Sequence, residues 1–303
     1  MDIDIGSEQL ENLLTAIGQK NELQMGFLKN SVNLLSNEEI QDLNRYIVFL
    51  GSLGLDISYI ADCYNLIVKD TLREQLYFRK HKRYRHSTFA AVSENVYFKK
   101  SYMDMYMYGL ALTLFLWPNH LQLSRWYHEK LPHKDRGKYL EVGPGHGYFF
   151  MSAMRKSNYS SFKGVDISPA SVEMTEAVLS SRLFGDFSKY EIVNADFLTL
   201  DEEEKYDAIV MGEVLEHVEE PFLFLEKIAR IAEDDAFIYI TTAINSPAID
   251  HIFHFDSPQA VRKIVENAGL MIKDELLIPY QGLSLQESQE QYLPVNIALV
   301  LGK

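Results

Sequence analysis

The pattern of the chain changes after His133, and this change most constrains its fold. From there on, short β-rich runs alternate with amphipathic helical stretches. The runs are 138–142, 162–166, 190–194, 206–211 and 237–241, and helices fit between them, for example over 169–181 and 221–232. Strands separated by helices pair through crossovers, which lay them parallel and cover both faces of the sheet. The last two runs, 270–278 and 295–302, are joined by a long polar loop with no obvious helix, which predicts a terminal antiparallel pair. Residues 134–303 therefore predict an α/β fold with a doubly wound, mostly parallel, seven-stranded sheet.

Residues 1–133 read as helical throughout. Leu10, Leu13, Leu14 and Ile17 recur at helical spacing. Ser36 and Glu39 form a capping-box pattern ahead of Ile40, Leu43, Ile47 and Leu50. Gly51–Gly54 is a break, and further helical stretches cover 56–80 and 102–131, the second interrupted at Pro118. So long a segment exceeds what covering a sheet needs. It predicts an all-helical lid domain that excludes water from an acceptor site and shapes its specificity. Tyr102, Tyr106, Tyr108, Trp117, Asn119 and His120 are its candidate pocket residues. Aromatic residues at helical spacing ordinarily pack into a core, which leaves Asn119 and His120 as the better polar contacts.

The first β-run leads into YLEVGPGHG, residues 139–147. Gly143, Gly145 and Gly147 permit a tight turn and a close ligand approach, and the helix that follows turns its N-terminal N–H groups to the ligand. Gly147 has an equally good reading as a helix-packing residue. Asp166 ends the second run, where a carboxylate can accept both hydroxyls of a ribose. Asp196 follows the third, within reach of an adenine amine, with Phe197 beside the ring. A dinucleotide site favours G-x-G-x-x-G. Here the spacing is G-x-G-x-G, and Glu141 adds a charge unwelcome beside a pyrophosphate but suited to an ammonium. The charges therefore favour S-adenosylmethionine over a dinucleotide.

EVGPGHG, VDIS, NADF and GEVLEHVEEP together resemble the successive motifs of class I S-adenosylmethionine-dependent methyltransferases, over roughly 134–303. The resemblance implies a Rossmann-like sheet. It places Glu141, Gly143 and Gly145 along the methionine moiety, Asp166 on the ribose and Ile167 against the adenine. Asp196 and Phe197 complete the adenine pocket, and Gly212 and Glu213 lie near the methionine end.

The ends of the fourth and fifth runs bring further chemistry. Glu213, Glu216 and His217 follow the fourth, and Asp250, His251 and His254 follow the fifth. Glu213, His217 and His251 are candidate catalytic groups, and His254 a loop or lid residue near the substrate. Such carboxylates and imidazoles suit proton transfer or a divalent metal (Fe, Mn or Mg). Glu-x-x-Glu-His with a later Asp-His resembles the metal site of small-RNA 2′-O-methyltransferases, which implies Glu213, Glu216, His217 and His251 as ligands. The Asp-His pair also resembles metal-dependent methyltransferase domains that open polyketide assembly lines. That likeness implies Asp250 and His251, with Gln281 or Gln286.

Acidic residues outnumber basic ones 43 to 29, a formal net charge of −14, which counts against a nucleic-acid partner. The one dense basic run, Arg79–His86, suits a phosphate, a carboxylate or an acidic carrier protein, or is simply a solvated helix face. Cys63 is the single cysteine, the first residues lack a signal-peptide pattern, and the longest apolar stretch, 105–118, is too short to span a bilayer. These features predict a cytoplasmic protein without a membrane partner. The leading expectation is methyl transfer to a small-molecule or carrier-bound metabolite of secondary metabolism. The alternatives are an RNA 2′-O-methyltransferase and a non-catalytic scaffold with a methyltransferase fold.

Overall fold

The computed structural model describes residues 8–94, 96–134 and 136–303. The helical part comprises α1 (Glu8–Lys20), α2 (Gln24–Val32), α3 (Asn37–Ser52), α4 (Ile57–His81), α5 (Phe89–Ser93), α6 (Lys100–Leu116) and α7 (Pro118–Lys130). The Ser36 side chain accepts from the Glu39 N–H, and Glu39 returns a bond to the Ser36 N–H, so the expected capping box opens α3. Pro118 divides α6 from α7. A proline at the first helical position loses no hydrogen bond there, and Pro169, Pro221 and Pro258 open later helices in the same way.

Then β1 (Lys138–Val142), α8 (Tyr148–Lys156), β2 (Ser161–Asp166), α9 (Pro169–Ser180), β3 (Tyr190–Asn194) and β4 (Tyr206–Gly212) alternate. They are followed by α10 (Pro221–Ile231), β5 (Ala232–Ile244), α11 (Pro258–Asn267), β6 (Met271–Ile278), α12 (Leu285–Glu290) and β7 (Val295–Gly302). The described strands form one seven-stranded sheet in the order β3-β2-β1-β4-β5-β7-β6. β1 to β5 pair in parallel, and β7 runs antiparallel between β5 and β6, as the polar connection predicts. That connection is not wholly irregular: Ser284 and Glu287 cap the short α12. Six residues are too few to show a helical period.

Strand order reverses between β1 and β4, which opens a crevice at the carboxyl ends of both strands. One face of the sheet packs against α10 and α11. The other packs against the helical half, with which it shares a single apolar core. Tyr127 of α7 meets Tyr239 of β5 edge-on at 5.0 Å, and Phe115 of α6 meets Tyr148 of α8 at 5.2 Å. Buried Asp42 of α3 accepts from the Tyr148 hydroxyl at 3.2 Å and from Arg155 of α8 at 3.1 Å. The boundary between α7 and β1 in sequence is thus not a gap in packing among the described residues. No single described helix is long and apolar enough to cross a membrane.

Candidate active site

A cavity of about 1090 Å³ lies over the crevice, between the carboxyl ends of the strands and the helices α4, α6 and α7. Single-ligand pockets commonly measure about 300–1,000 Å³. This one has room for a cofactor and an acceptor side by side.

The glycine loop forms its floor. Gly143, Gly145 and Gly147 all have positive φ, at 70°, 56° and 74°, a region other residues rarely occupy. A Cβ on Gly147 would lie 2.9 Å from the Thr175 Cα of α9, so this glycine serves helix packing. Gly143 and Gly145 line the cavity. Asp166, at the end of β2, ties the loop down: its Oδ2 accepts from the Gly145 N–H at 3.0 Å and its Oδ1 from the Ser168 N–H at 2.9 Å. Burial pushes its carboxyl up to about 6 despite these bonds. Ile167 beside it is 38% exposed, an apolar face turned to the opening. Asp196 and buried Phe197 line the same region, and the Asp196 Oδ1 caps the following turn by accepting from the Leu198 N–H.

Glu141 lies in β1 just before the loop and is buried. Its Oε2 accepts from the Tyr139 hydroxyl at 2.5 Å, and that hydroxyl lies 2.9 Å from the Tyr127 hydroxyl of α7. Burial outweighs these bonds and pushes the Glu141 carboxyl up to about 8. An isolated buried carboxylate is costly, and a ligand ammonium would relieve that cost.

The ends of β4 and β5 form the far wall. Glu213 holds φ at 51°, a strained value for a side chain of its size, with its N–H bonded to the Thr241 carbonyl and hydroxyl oxygens. His217 Nδ1 lies 3.3 Å from the Asp250 carbonyl oxygen and 2.9 Å from the Tyr97 hydroxyl. A carbonyl only accepts, so Nδ1 is the donor in that contact, and in the neutral ring the lone pair lies on Nε2. Both Asp250 carboxylate oxygens are taken: Tyr97 donates to Oδ2 at 3.2 Å and Tyr106 to Oδ1 at 3.3 Å. The helical half thereby reaches across to orient the histidine. By the same argument the His251 Nδ1 donates to the Ser246 carbonyl at 2.6 Å, and its Nε2 lies 4.0 Å from the Glu216 Oε1. Burial pushes His251 down to about 3, which keeps it neutral.

Glu216, His217 and His251 bring ligand-type atoms within 4.8 Å of one another. Burial raises both Glu213 and Glu216, and the neighbouring Glu213 raises Glu216 further. Glu213 Oε1 and Glu216 Oε1 are buried without a hydrogen-bond partner among the described residues. Imidazole nitrogens and orphaned carboxylate oxygens are the kind of donor set a divalent cation takes. Of the other expected set, Asp250 and His251 line the cavity. Asp250 is engaged by two tyrosines, and Gln286 is exposed on α12, where its amide donates to Glu290. Gln281 does line the cavity.

Tyr106, Asn119, His120 and Trp117 line the cavity as expected. The Asn119 amide donates to Asn296 of β7 at 2.8 Å, and burial pushes His120 down to about 4. Tyr102 and His254 lie outside the cavity wall. Tyr102 donates to Asp70 and stacks on Tyr106, acting one layer behind the wall. His254 packs between Phe78 and Tyr84 and bonds to Asn245. Tyr108 packs against the core. The basic run is partly structural: Tyr84 is buried, with its hydroxyl accepting from the Ser246 N–H, and Arg85 pairs with Glu74. Tyr97 gave no signal in the sequence, because it belongs to no motif or periodic run, and Tyr84 was hidden among the charges of the basic run.

A family model described as a methyltransferase domain matches residues 119–275. (S)-coclaurine N-methyltransferase of Papaver somniferum is 24% identical over 145 residues, which cover 48% of this chain and 40% of that protein. This chain therefore matches well under half of that relative's length. A ubiquinone biosynthesis O-methyltransferase of Neisseria meningitidis serogroup C (strain 053442) is 24% identical over 173 residues, covering 50% of this chain and 72% of its own. Among solved structures, the mitomycin 7-O-methyltransferase MmcR superposes with a TM-score of 0.53 at 11% identity. The superposition covers 82% of this chain and 70% of that one, and extends the likeness of fold into the helical half.

Proposed function

This chain belongs to the class I S-adenosylmethionine-dependent methyltransferase family, and on that premise we propose that it methylates a small, largely apolar molecule. The observation that carries this reading is continuity. One cavity runs from the glycine loop, anchored by Asp166, to the His217 imidazole under the helical lid. Glu141 fits the ammonium of S-adenosylmethionine, Asp166 its ribose, and Ile167, Asp196 and Phe197 its adenine. When bound, S-adenosylmethionine supplies a methyl group on a sulfonium, an electrophile that needs no further activation. The chain's own work is to orient the acceptor, exclude water and take a proton where the acceptor loses one. His217 Nε2 is the proton acceptor, with Nδ1–H held toward the Asp250 carbonyl and the Tyr97 hydroxyl. Phe89, Met103, Leu110 and Leu114 give the cavity an apolar wall, and the net charge of −14 disfavours RNA.

Calorimetric titration with S-adenosylhomocysteine, followed by methyl-transfer assays on phenols, amines and carrier-bound acyl groups, tests the reading. Binding lost in Asp166→Ala and turnover on a free phenol or amine are the expected results. Turnover confined to carrier-bound groups would instead point to an acidic carrier protein, with the basic run Arg79–His86 as the surface to test for its docking. No binding at all would leave a scaffold.

A second reading is favoured by the orphaned oxygens of Glu213 and Glu216 beside His217 and His251. A divalent cation held there would act as a Lewis acid on an acceptor oxygen. Metal analysis of the purified protein decides it. A stoichiometric metal that disappears in His251→Ala supports this reading, and a metal-free active enzyme removes it.

A further inference from the structure

α4 presents Ile67, Thr71, Gln75 and Arg79 to the cavity at four-residue spacing, one stripe of a helix. Along about 18 Å of helix axis the stripe passes from an apolar group through a hydroxyl and an amide to a guanidinium. Exposure rises in the same direction, from buried Ile67 to exposed Arg79 at the mouth. Arg79 is the one Lys or Arg among the cavity's described lining residues. The other charged lining side chains, such as Glu219, Glu220 and Asp196, are acidic. Among the described residues no hydrogen bond, ion pair or ring contact engages Arg79, whereas nearby Arg85 pairs with Glu74 and Lys82 sits over the Tyr292 ring at 4.2 Å. One turn inside, the Gln75 Nε2 is a buried donor without a partner among the described residues. Leaving such a donor unsatisfied is costly, and a ligand oxygen would satisfy it.

We propose that Gln75 and Arg79 form an anion subsite at the mouth of the acceptor cavity. The acceptor is then an elongated amphiphile whose apolar body lies along α4 and whose carboxylate or phosphate pairs with Arg79. This rests on the reading of the cavity as the acceptor site of a methyltransferase. A guanidinium takes either anion through paired N–H donors, and the surrounding acidic residues repel the same anion anywhere else along the wall.

The probes are decanoate, decyl phosphate, decanol and decyltrimethylammonium, titrated below their aggregation thresholds into the full chain saturated with S-adenosylhomocysteine. Either anion should bind on the order of tenfold tighter than decanol, with the cation weakest. Whichever anion binds tighter identifies the source. Arg79→Gln should erase the preference for anions while leaving decanol affinity as it was, and Gln75→Leu should reduce it. Equal affinity for anion and alcohol, or a preference that survives in Arg79→Gln, overturns the subsite. S-adenosylhomocysteine is titrated alone into the same proteins. If it fails to bind but the Arg79-dependent preference for anions remains, the subsite stands and the methyl-transfer reading falls. If it binds without any preference for anions, the reverse holds.

Discussion

At the scale of single residues, environment changes what a side chain can do. Glu141 looks from its position like a permanent anion beside the loop, yet burial pushes its carboxyl up to about 8. The folded chain therefore holds a proton there that the unfolded chain has released above its ordinary value near 4.5. This group's contribution to stability is greatest below that ordinary value and falls as pH rises toward 8. In Glu141→Gln the melting temperature should drop less between about pH 5 and about pH 8 than in the parent, as thermal denaturation at the two pH values will show. The same variant should bind S-adenosylhomocysteine about tenfold more weakly, since it loses a partner for the ammonium. Unchanged affinity would remove Glu141 from the methionine site. His217→Ala should lower kcat by about 10²–10⁴-fold while leaving S-adenosylhomocysteine affinity intact, which steady-state kinetics and calorimetry separate. That Asp166 shares a site with the glycine loop was legible from order and residue type, but its bond from the Gly145 N–H was not. The bond from Tyr97 to His217 was not, because it joins residues 120 positions apart with no motif between them.

At the scale of elements, the strand and helix signals served well where they were long. Four of the seven strands start where the β-rich runs do, and prolines mark the starts of α7, α9, α10 and α11. β5 runs well ahead of its apolar run because Glu233, Asp234 and Asp235 extend it as an exposed, acidic stretch that no hydrophobic pattern reveals. The turn between β1 and α8 depends on its last glycine in two ways. Gly147 has φ of 74° and Thr175 backbone against it, whereas Gly282 has φ of 84° and open space around it. Gly282→Ala should therefore cost about 1 kcal/mol, from backbone conformation alone. Gly147→Ala adds overpacking of about 1–3 kcal/mol. Denaturant midpoints for the two variants should fall in that order, and equal losses would show that α9 yields freely to the added methyl.

At the scale of the whole molecule, the helical half and the sheet share one core, with Asp42 linking α3 to α8. Calorimetry should therefore show one unfolding transition. Two transitions would mean that the halves melt separately. Saturation with S-adenosylhomocysteine at about 100 times its Kd should add about 2.7 kcal/mol to that single transition. The sequence by itself determined the alternating elements, the doubly wound sheet, the glycine loop and the carboxylates at strand ends. Those features are set by neighbours along the chain, where periodicity, turn chemistry and helix capping are written. Only the tertiary structure decided that Tyr97 and Tyr106 orient Asp250 and His217. It also put Gln75 and Arg79 on the cavity wall, left Gln286 at the surface and set His254 behind it. Such contacts depend on how helices dock on the sheet, and that docking is fixed by packing between distant segments rather than by any local pattern.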